Sequence, residues 1–342
     1  MKLKIGSTDY DFFNGVRVTL NYDSVASVFG FSAYFDPNDP LHRNLFRPLR
    51  YQRCVISHEG ETLITGRVLS ASFKAEAERT LVTISGYSLT GILEDCPIPV
   101  EVYPLQSDGL TLGEIADKIV EPFGLSIVVD QAVQERYDAD FKTIEAKADQ
   151  SAKAYLAEIA AQRGIILSHT SGGALLFTEA KADRRPTLDF ADGNGYTSAT
   201  LSVNGQAMHS TVTVLRDADI NGGNAGEAEV SNPLIGIKRP RVALQTSGDD
   251  NSTELAAEML RADELKAVTL TINVPTWKMN GTILRPNTIV SMRDPELFLF
   301  KKRNFFVRSV TLSGTESEQV ASLTCVLPET FTLQTPVDIF AE

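Results

Sequence analysis

Four histidines, three cysteines and an excess of carboxylates are the groups in this 342-residue chain that could do chemistry. The histidines are scattered. His42 follows Pro40, His58 and His169 fall at predicted hairpin turns, and His209 falls in a predicted strand. There is no His-Glu-x-x-His, no Cys-x-x-Cys and no Walker loop. Glycines at Asp192 to Gly195 and Asn221 to Gly226 lack the strand-then-helix setting that cradles phosphate, so they read as turns. Glu94 and Asp95 close a short predicted helix, where the helix dipole disfavours negative charge. Two carboxylates are the machinery of glycoside hydrolysis. The same pair could equally be solvated, or met by a basic group on a neighbouring domain or chain. The residue types therefore assign no catalytic residue, metal ligand or cofactor, and a non-enzymatic chain is expected.

One basic cluster stands out. Arg43, Arg47, Arg50 and Arg53 lie beside Leu45 and Phe46 in a chain of net charge −12. Arginine is favoured at interfaces because its planar fork pairs with carboxylates. The cluster reads as a solvated loop or as a contact with an acidic partner. An identical subunit could supply that partner, since residues 94–147 hold twelve acidic and four basic residues. The acidic balance argues against a surface that grips nucleic acid, which needs basic groups to neutralise phosphates. Met1 to Gly6 is no signal peptide, and no apolar run reaches membrane-spanning length. Synthesis in the cytoplasm and no membrane insertion are expected. Cys54, Cys96 and Cys325 are odd in number and far apart, so no disulfide framework is implied.

The elements that must position these groups change character twice. Residues 1–97 are dense in strands. Val16, Val18 and Leu20 alternate with polar residues, as do Phe29, Phe31, Ala33 and Phe35. His58 to Thr62 is a hairpin loop with Gly60 available for positive φ. Asp36 to Arg50 reads as a long loop. The stretch from Arg79 to Pro97 begins as a strand and turns at Gly86 and Ser88 into a short helix carrying Leu89, Ile92 and Leu93. Residues 98–185 hold two helix–strand units. In the first, Thr111 and Glu114 form a capping box ahead of Leu112, Ile115, Ala116 and Ile119. In the second, Ser151 starts a helix that buries Tyr155, Leu156, Ile159 and Ala160 and ends at Gly164. Residues 186–342 return to β: a hairpin from Ala199 to Leu215, an inserted loop and helix at about 217–267, and a strand with Val268, Leu270, Ile272 and Val274 on one face. Asn280-Gly281 is a turn, followed by strands at 288–292, 305–312 and 320–327. Lys301 to Arg303 reads as a hairpin tip. The fold expected is mainly β with α+β: two small antiparallel β-barrels, 1–97 and 186–342, around an α/β domain, 98–185.

That order of units, with Ser85 to Cys96, Tyr155 to Leu167 and Ile283 to Met292, resembles the baseplate hub proteins of contractile-tailed phages, closest to the phage Mu-like hub. The resemblance implies kinship in fold with the N-terminal hub part of type VI secretion VgrG proteins. It also implies a homotrimer in which two barrels per subunit form a pseudo-six-fold ring. The ring joins the tail tube to a separate spike around the DNA path, in the virion tail. Other readings are a tail-associated cell-wall hydrolase, or a hub-like part of a secretion system or siphophage tail tip. Candidate interface residues are Arg43, Arg47, Arg50, Arg53, Gly86 and Ser88. Gly86 and Ser88 are expected to set the angle between the first barrel and the α/β domain. Gly86→Val is then expected to disturb assembly before folding.

Overall fold

The computed structural model describes residues 1–10, 13–75, 80–103, 109–141, 150–216, 226–244, 253–315 and 318–341. The first β unit contains β1 (Lys2–Ile5), β2 (Thr8–Tyr10), β3 (Phe13–Asn21), β4 (Val28–Tyr34), β5 (Arg53–His58), β6 (Glu61–Ala75) and β7 (Thr80–Ser88). The alternation works as expected: Val16, Val18 and Leu20 of β3 and Phe29, Phe31 and Ala33 of β4 are buried. Glu59 and Gly60, both at positive φ, form the two-residue turn between β5 and β6. The long loop is not structureless. Asp39 accepts a hydrogen bond from the Leu41 amide, Pro40 takes the first helical position, and α1 runs over Pro40–Leu45.

The α/β unit follows a tight turn at Leu89–Gly91. It contains α2 (Ile92–Asp95), α3 (Leu112–Val120), β8 (Ile127–Val129), α4 (Gln134–Tyr137), α5 (Ala152–Gln162), β9 (Ile166–His169) and β10 (Leu175–Thr178). Both halves of the Thr111–Glu114 capping box form. The Ser151 hydroxyl accepts from the Ala154 amide, and Gly124 and Gly164 sit at positive φ where the two helical segments end. The expected stripes on α3 and α5 are buried in one apolar core with Phe177 of β10. β10 lies between β8, which is parallel to it, and β9, which is antiparallel.

The last unit holds β11 (Leu188–Ala191), β12 (Ser198–Val203), β13 (Thr211–Arg216), β14 (Gly226–Ser231), β15 (Pro240–Leu244), α6 (Thr253–Glu264) and β16 (Val268–Val274). It continues with β17 (Lys278–Met279), β18 (Thr282–Ile283), β19 (Thr288–Asp294), β20 (Leu299–Gly314), β21 (Gln319–Val326) and α7 (Glu329–Thr332). β16 alternates strictly, and its four apolar residues are buried, each worth roughly 2 kcal/mol of transfer free energy. Asn280 and Gly281, both at positive φ, turn β17 into β18. The expected hairpin between 199 and 215 does not form. Met208, buried in the main core after the turn at Gly205–Ala207, sends the chain out of the large sheet. β12 therefore pairs with β16, while β13 is the centre of a separate sheet with β14 and β15. His209 consequently precedes a strand rather than lying in one, and Lys301 to Arg303 lie within β20, not at a tip. The helix start at Asn251 and most of the 217–230 loop lie outside the described residues.

The fold is mainly β with an α/β unit, as expected, but the β units are not two closed barrels. Strands run β12-β16-β21-β20-β3-β4-β7-β6-β5-β1-β2, with β19 and β11 branching from β20, in one 13-stranded sheet. The join is the antiparallel pairing of β3 residues 16–21 with β20 residues 309–314. Because β3 spends its second edge on β20, neither unit closes on itself among the described residues. One apolar core spans both. Trp277 locks its curl: the indole N–H donates to the Ser313 and Val320 carbonyls, and its ring meets His58 of β5 edge-on at 5.0 Å. Trp277→Ala is expected to cost about 3–5 kcal/mol, measured as a lower denaturant midpoint by circular dichroism.

Candidate assembly surface and the joint that positions it

The basic loop protrudes from the β5–β6 end of the sheet. Leu45 and Phe46 anchor its base in the main core, where Phe46 meets Tyr10 edge-on at 5.3 Å. Its far end is held by Gln52, which donates to the Asn44 carbonyl at 2.8 Å, and by Arg67, which donates to the Tyr51 carbonyl at 3.2 Å. Arg43, Arg47, Arg50 and Arg53 are all exposed. Arg43 rides on α1, Arg53 opens β5, and none forms an ion pair with a described carboxylate. Between them Leu49 and Tyr51 hold φ of 61° and 48° while 77% and 51% exposed. Bulky residues rarely adopt such a backbone, at roughly 1–3 kcal/mol each. The void beneath the loop is about 10 Å³, room for no more than one water, so the loop presents a surface rather than a pocket. Leu49 and Tyr51 were not legible as special in the sequence; only Pro48, a turn former, marked the place.

Gly86 and Ser88 lie elsewhere, at the end of β7. Ser88 caps no helix. Its buried hydroxyl accepts from the Ser27 amide at 3.1 Å and lies 3.3 Å from the Val25 carbonyl as a donor. The β3–β4 turn that it grips, residues 22–27, touches all three units. Val25 is buried in the α/β core. Nδ1 of His169 in β9 lies 2.8 Å from the Ser24 carbonyl, and its Nε2 lies 2.7 Å from the Ser27 hydroxyl. Asp23 pairs with Arg308 of β20 at 2.8 Å and with Lys266 at 3.3 Å. Burial alone would raise the Asp23 carboxyl, but its bonds and charges with Arg308 and Lys266 outweigh that and hold it below the usual carboxylate range. Desolvation lowers the His169 imidazole, with the Ser24 carbonyl acting the other way.

Gly86 is no hinge. It sits inside β7, where an added Cβ would lie 2.0 Å from the Arg67 carbonyl oxygen and 2.7 Å from the Phe29 ring. The remaining chemical candidates are engaged within the chain. Glu94 pairs with Lys153 at 3.3 Å, and Tyr87 donates to Asp95 at 2.7 Å. His42 accepts from the Asp36 amide, and His209 pairs with buried Glu264. A groove of about 970 Å³ between α5, α6 and α7 carries Glu179, Asp183 and Asp263, of which Glu179 pairs with Arg136 and Asp263 with Lys266. The three cysteines are free thiols, and no described helix is long and apolar enough to cross a membrane.

This geometry reverses the expected order for Gly86. Gly86→Val forces backbone apart in the sheet, so it is expected to cost more than about 3 kcal/mol and to yield insoluble chain, scored by soluble yield and circular dichroism. The joint also predicts a pH dependence. The folded-state pKa of His169 lies below its ordinary value of 6.5, so the unfolded chain binds the extra proton first. Its stabilisation is complete above pH 6.5 and lost as pH falls through the window below it. The melting temperature should drop there, and His169→Gln should flatten part of the slope, read by thermal denaturation across pH.

Comparison with known proteins fits this architecture. A comparison with curated proteins finds no match. Residues 90–179 match the family model of the second domain of gp44-like baseplate hub proteins. The structure superposes on a 43 kDa tail protein of prophage MuSo2 from Shewanella oneidensis with a TM-score of 0.80 and 22% identity, covering 96% of this chain and 99% of that one. A tail protein from Neisseria meningitidis gives 0.80 and 19%, covering 97% of each chain. A type VI secretion component from E. coli, described as similar to bacteriophage T4 tail proteins, gives 0.53 and 10%, covering 99% of this chain and 80% of that one. Residues 90–179 are thus similar to the second domain of gp44-like baseplate hub proteins, and the chain as a whole shares the fold of phage tail proteins.

Proposed function

We propose that this chain is a non-enzymatic structural subunit of a tail baseplate. Three copies form a pseudo-six-fold ring that joins the tail tube to a separate spike and surrounds the DNA path. The observation that carries this reading is the β3–β20 join, which makes two β units of one subunit into a single wall. A ring of three such walls offers six β units to a six-fold tube, and the division into 1–97, 98–185 and 186–342 goes with it. The net charge of −12 fits a lumen that repels phosphate instead of holding it. On this reading the exposed arginines meet an acidic surface of an identical subunit, the protein is made in the host cytoplasm and ends in the virion tail, and no cofactor is needed. A hub position in a secretion machine is the second reading, favoured by the fold shared with the E. coli component. A cell-wall hydrolase is disfavoured, because Glu94 and Asp95, the carboxylate pair that the sequence offers, are engaged by Lys153 and Tyr87.

An obligate ring contact should bury about 2,000 Å² or more. Sedimentation equilibrium is expected to give a trimer, and negative-stain images a ring with a central hole. A chain that stays monomeric at high concentration would sink the proposal.

A further inference from the structure

We propose that the arginine-rich loop of one subunit docks on the outer face of the β14-β13-β15 sheet of a second copy of this chain. The inference rests on the ring reading and names the two surfaces that close the ring.

Among the described residues, one face of the three-stranded sheet packs on a helix, α6. Val212 and Val214 of β13 are buried beneath α6, and Arg241 of β15 reaches Glu264 of that helix at 2.9 Å. The residues that alternate with them lie on the other face, where Thr213 is itself buried and its hydroxyl donates to Glu229 at 3.0 Å. In register, Thr213 stands between Glu229 of β14 and Val242 of β15, and Leu215 stands between Glu227 and Leu244. Val242 and Leu244 are 63% and 67% exposed. The outer face therefore carries a row of carboxylates beside a row of aliphatic side chains. No described basic group forms an ion pair with Glu227 or Glu229.

The loop is its complement. Leu49 and Tyr51 are exposed apolar residues at its tip, and Arg47 and Arg50 flank them without carboxylate partners among the described residues. Tyr and Arg are the side chains that most often dominate protein interfaces. The acidic segment around α3 and α4 also exposes Asp117, Glu121 and Glu135, but these stand on separate helical turns rather than in register beside an aliphatic row. Glu94 and Asp95 are held as described, Glu114 closes its capping box, and Asp130 caps the turn before α4. The loop joins β4 to β5 of the large sheet, whereas β14-β13-β15 is a separate sheet, so the two surfaces are different. A contact between two different surfaces is head-to-tail, the kind that closes into a ring when its rotation permits.

The test uses the full chain in three versions: Arg47→Glu with Arg50→Glu, Glu227→Arg with Glu229→Arg, and all four together. By sedimentation, each pair of reversals is expected to weaken self-association by about ten-fold or more, and the fourfold variant to recover it. Reversals without effect on an oligomer that still forms overturn the docking and leave the ring reading standing. A fourfold variant that stays dissociated also overturns the docking. A monomeric unmodified chain overturns both. Where a reversal prevents folding, a second measurement decides: Leu49→Cys with Val242→Cys should give covalent oligomers on mild oxidation, and none would overturn the docking.

Discussion

The structure depends on how six residues, Tyr22 to Ser27, are held. This turn between β3 and β4 is where the three units meet. Tyr22 packs against Phe306 and Phe331, and Asp23 is fixed by Arg308 and Lys266 of the last unit. Val25 enters the α/β core, and Ser27 joins Ser88 of the first unit to His169 of the α/β unit. Each bond is modest alone, roughly 1 kcal/mol net for a neutral pair. Their effect lies in geometry. A turn pinned from three sides cannot rotate relative to any of them, so the angle between the β wall and the α/β unit is fixed by the same few groups.

The wall itself is shaped by two long strands. β6 runs 15 residues and β20 runs 16, and each breaks register twice: β6 at Val68/Ser70 against β7 and opposite Ile56/Ser57 of β5, β20 at Val307/Ser309 against β21 and opposite Met292/Asp294 of β19. A bulge bends a strand and sharpens its twist. The β20 break at Val307/Ser309 falls beside the β3 join, where one strand must serve β19, β21 and β3. Glycine does related work in the first unit. Gly66 and Gly86 leave room for the Phe29 ring against backbone that no Cβ could share. Curvature is thus written into backbone positions, while hydrophobic alternation supplies only the faces.

This division explains what the sequence made legible. The helices of the α/β unit, their caps at Thr111 and Ser151, and the alternation of β16 follow local rules and were readable. The family resemblance was carried by the order of such local units. The sheet's continuity was not, because β3 and β20 lie almost three hundred residues apart and nothing in Val16 to Asn21 names its partner. The hairpin expected at 199–215 failed for the same reason. Asn204-Gly205 is good turn chemistry, but burial of Met208 and the pairing of β12 with β16 outweighed it. For the surface, charge marks the arginines, which are exposed, while the role of Gly86 is steric and set by Arg67 and Phe29, which its own sequence neighbours do not reveal. The Tyr22 to Ser27 turn went unnoticed, since its serines look like any solvated loop.

The basic loop shows how strain and anchoring combine. Leu49 and Tyr51 hold backbone angles that cost free energy, and their side chains recover little of it by burial in the monomer. Such a conformation persists only where its surroundings impose it. Here Phe46 is sunk in the core on one side, and Gln52 and Arg67 hold the carbonyls on the other. A loop fixed in this way has already lost the conformational freedom that binding would otherwise remove. Its exposed Leu49 and Tyr51 can then meet a partner with little further ordering. Four arginines around them would make the same surface too charged to cohere with itself, so repulsion opposes loop-to-loop pairing and leaves an acidic, partly apolar face as the fitting counterpart.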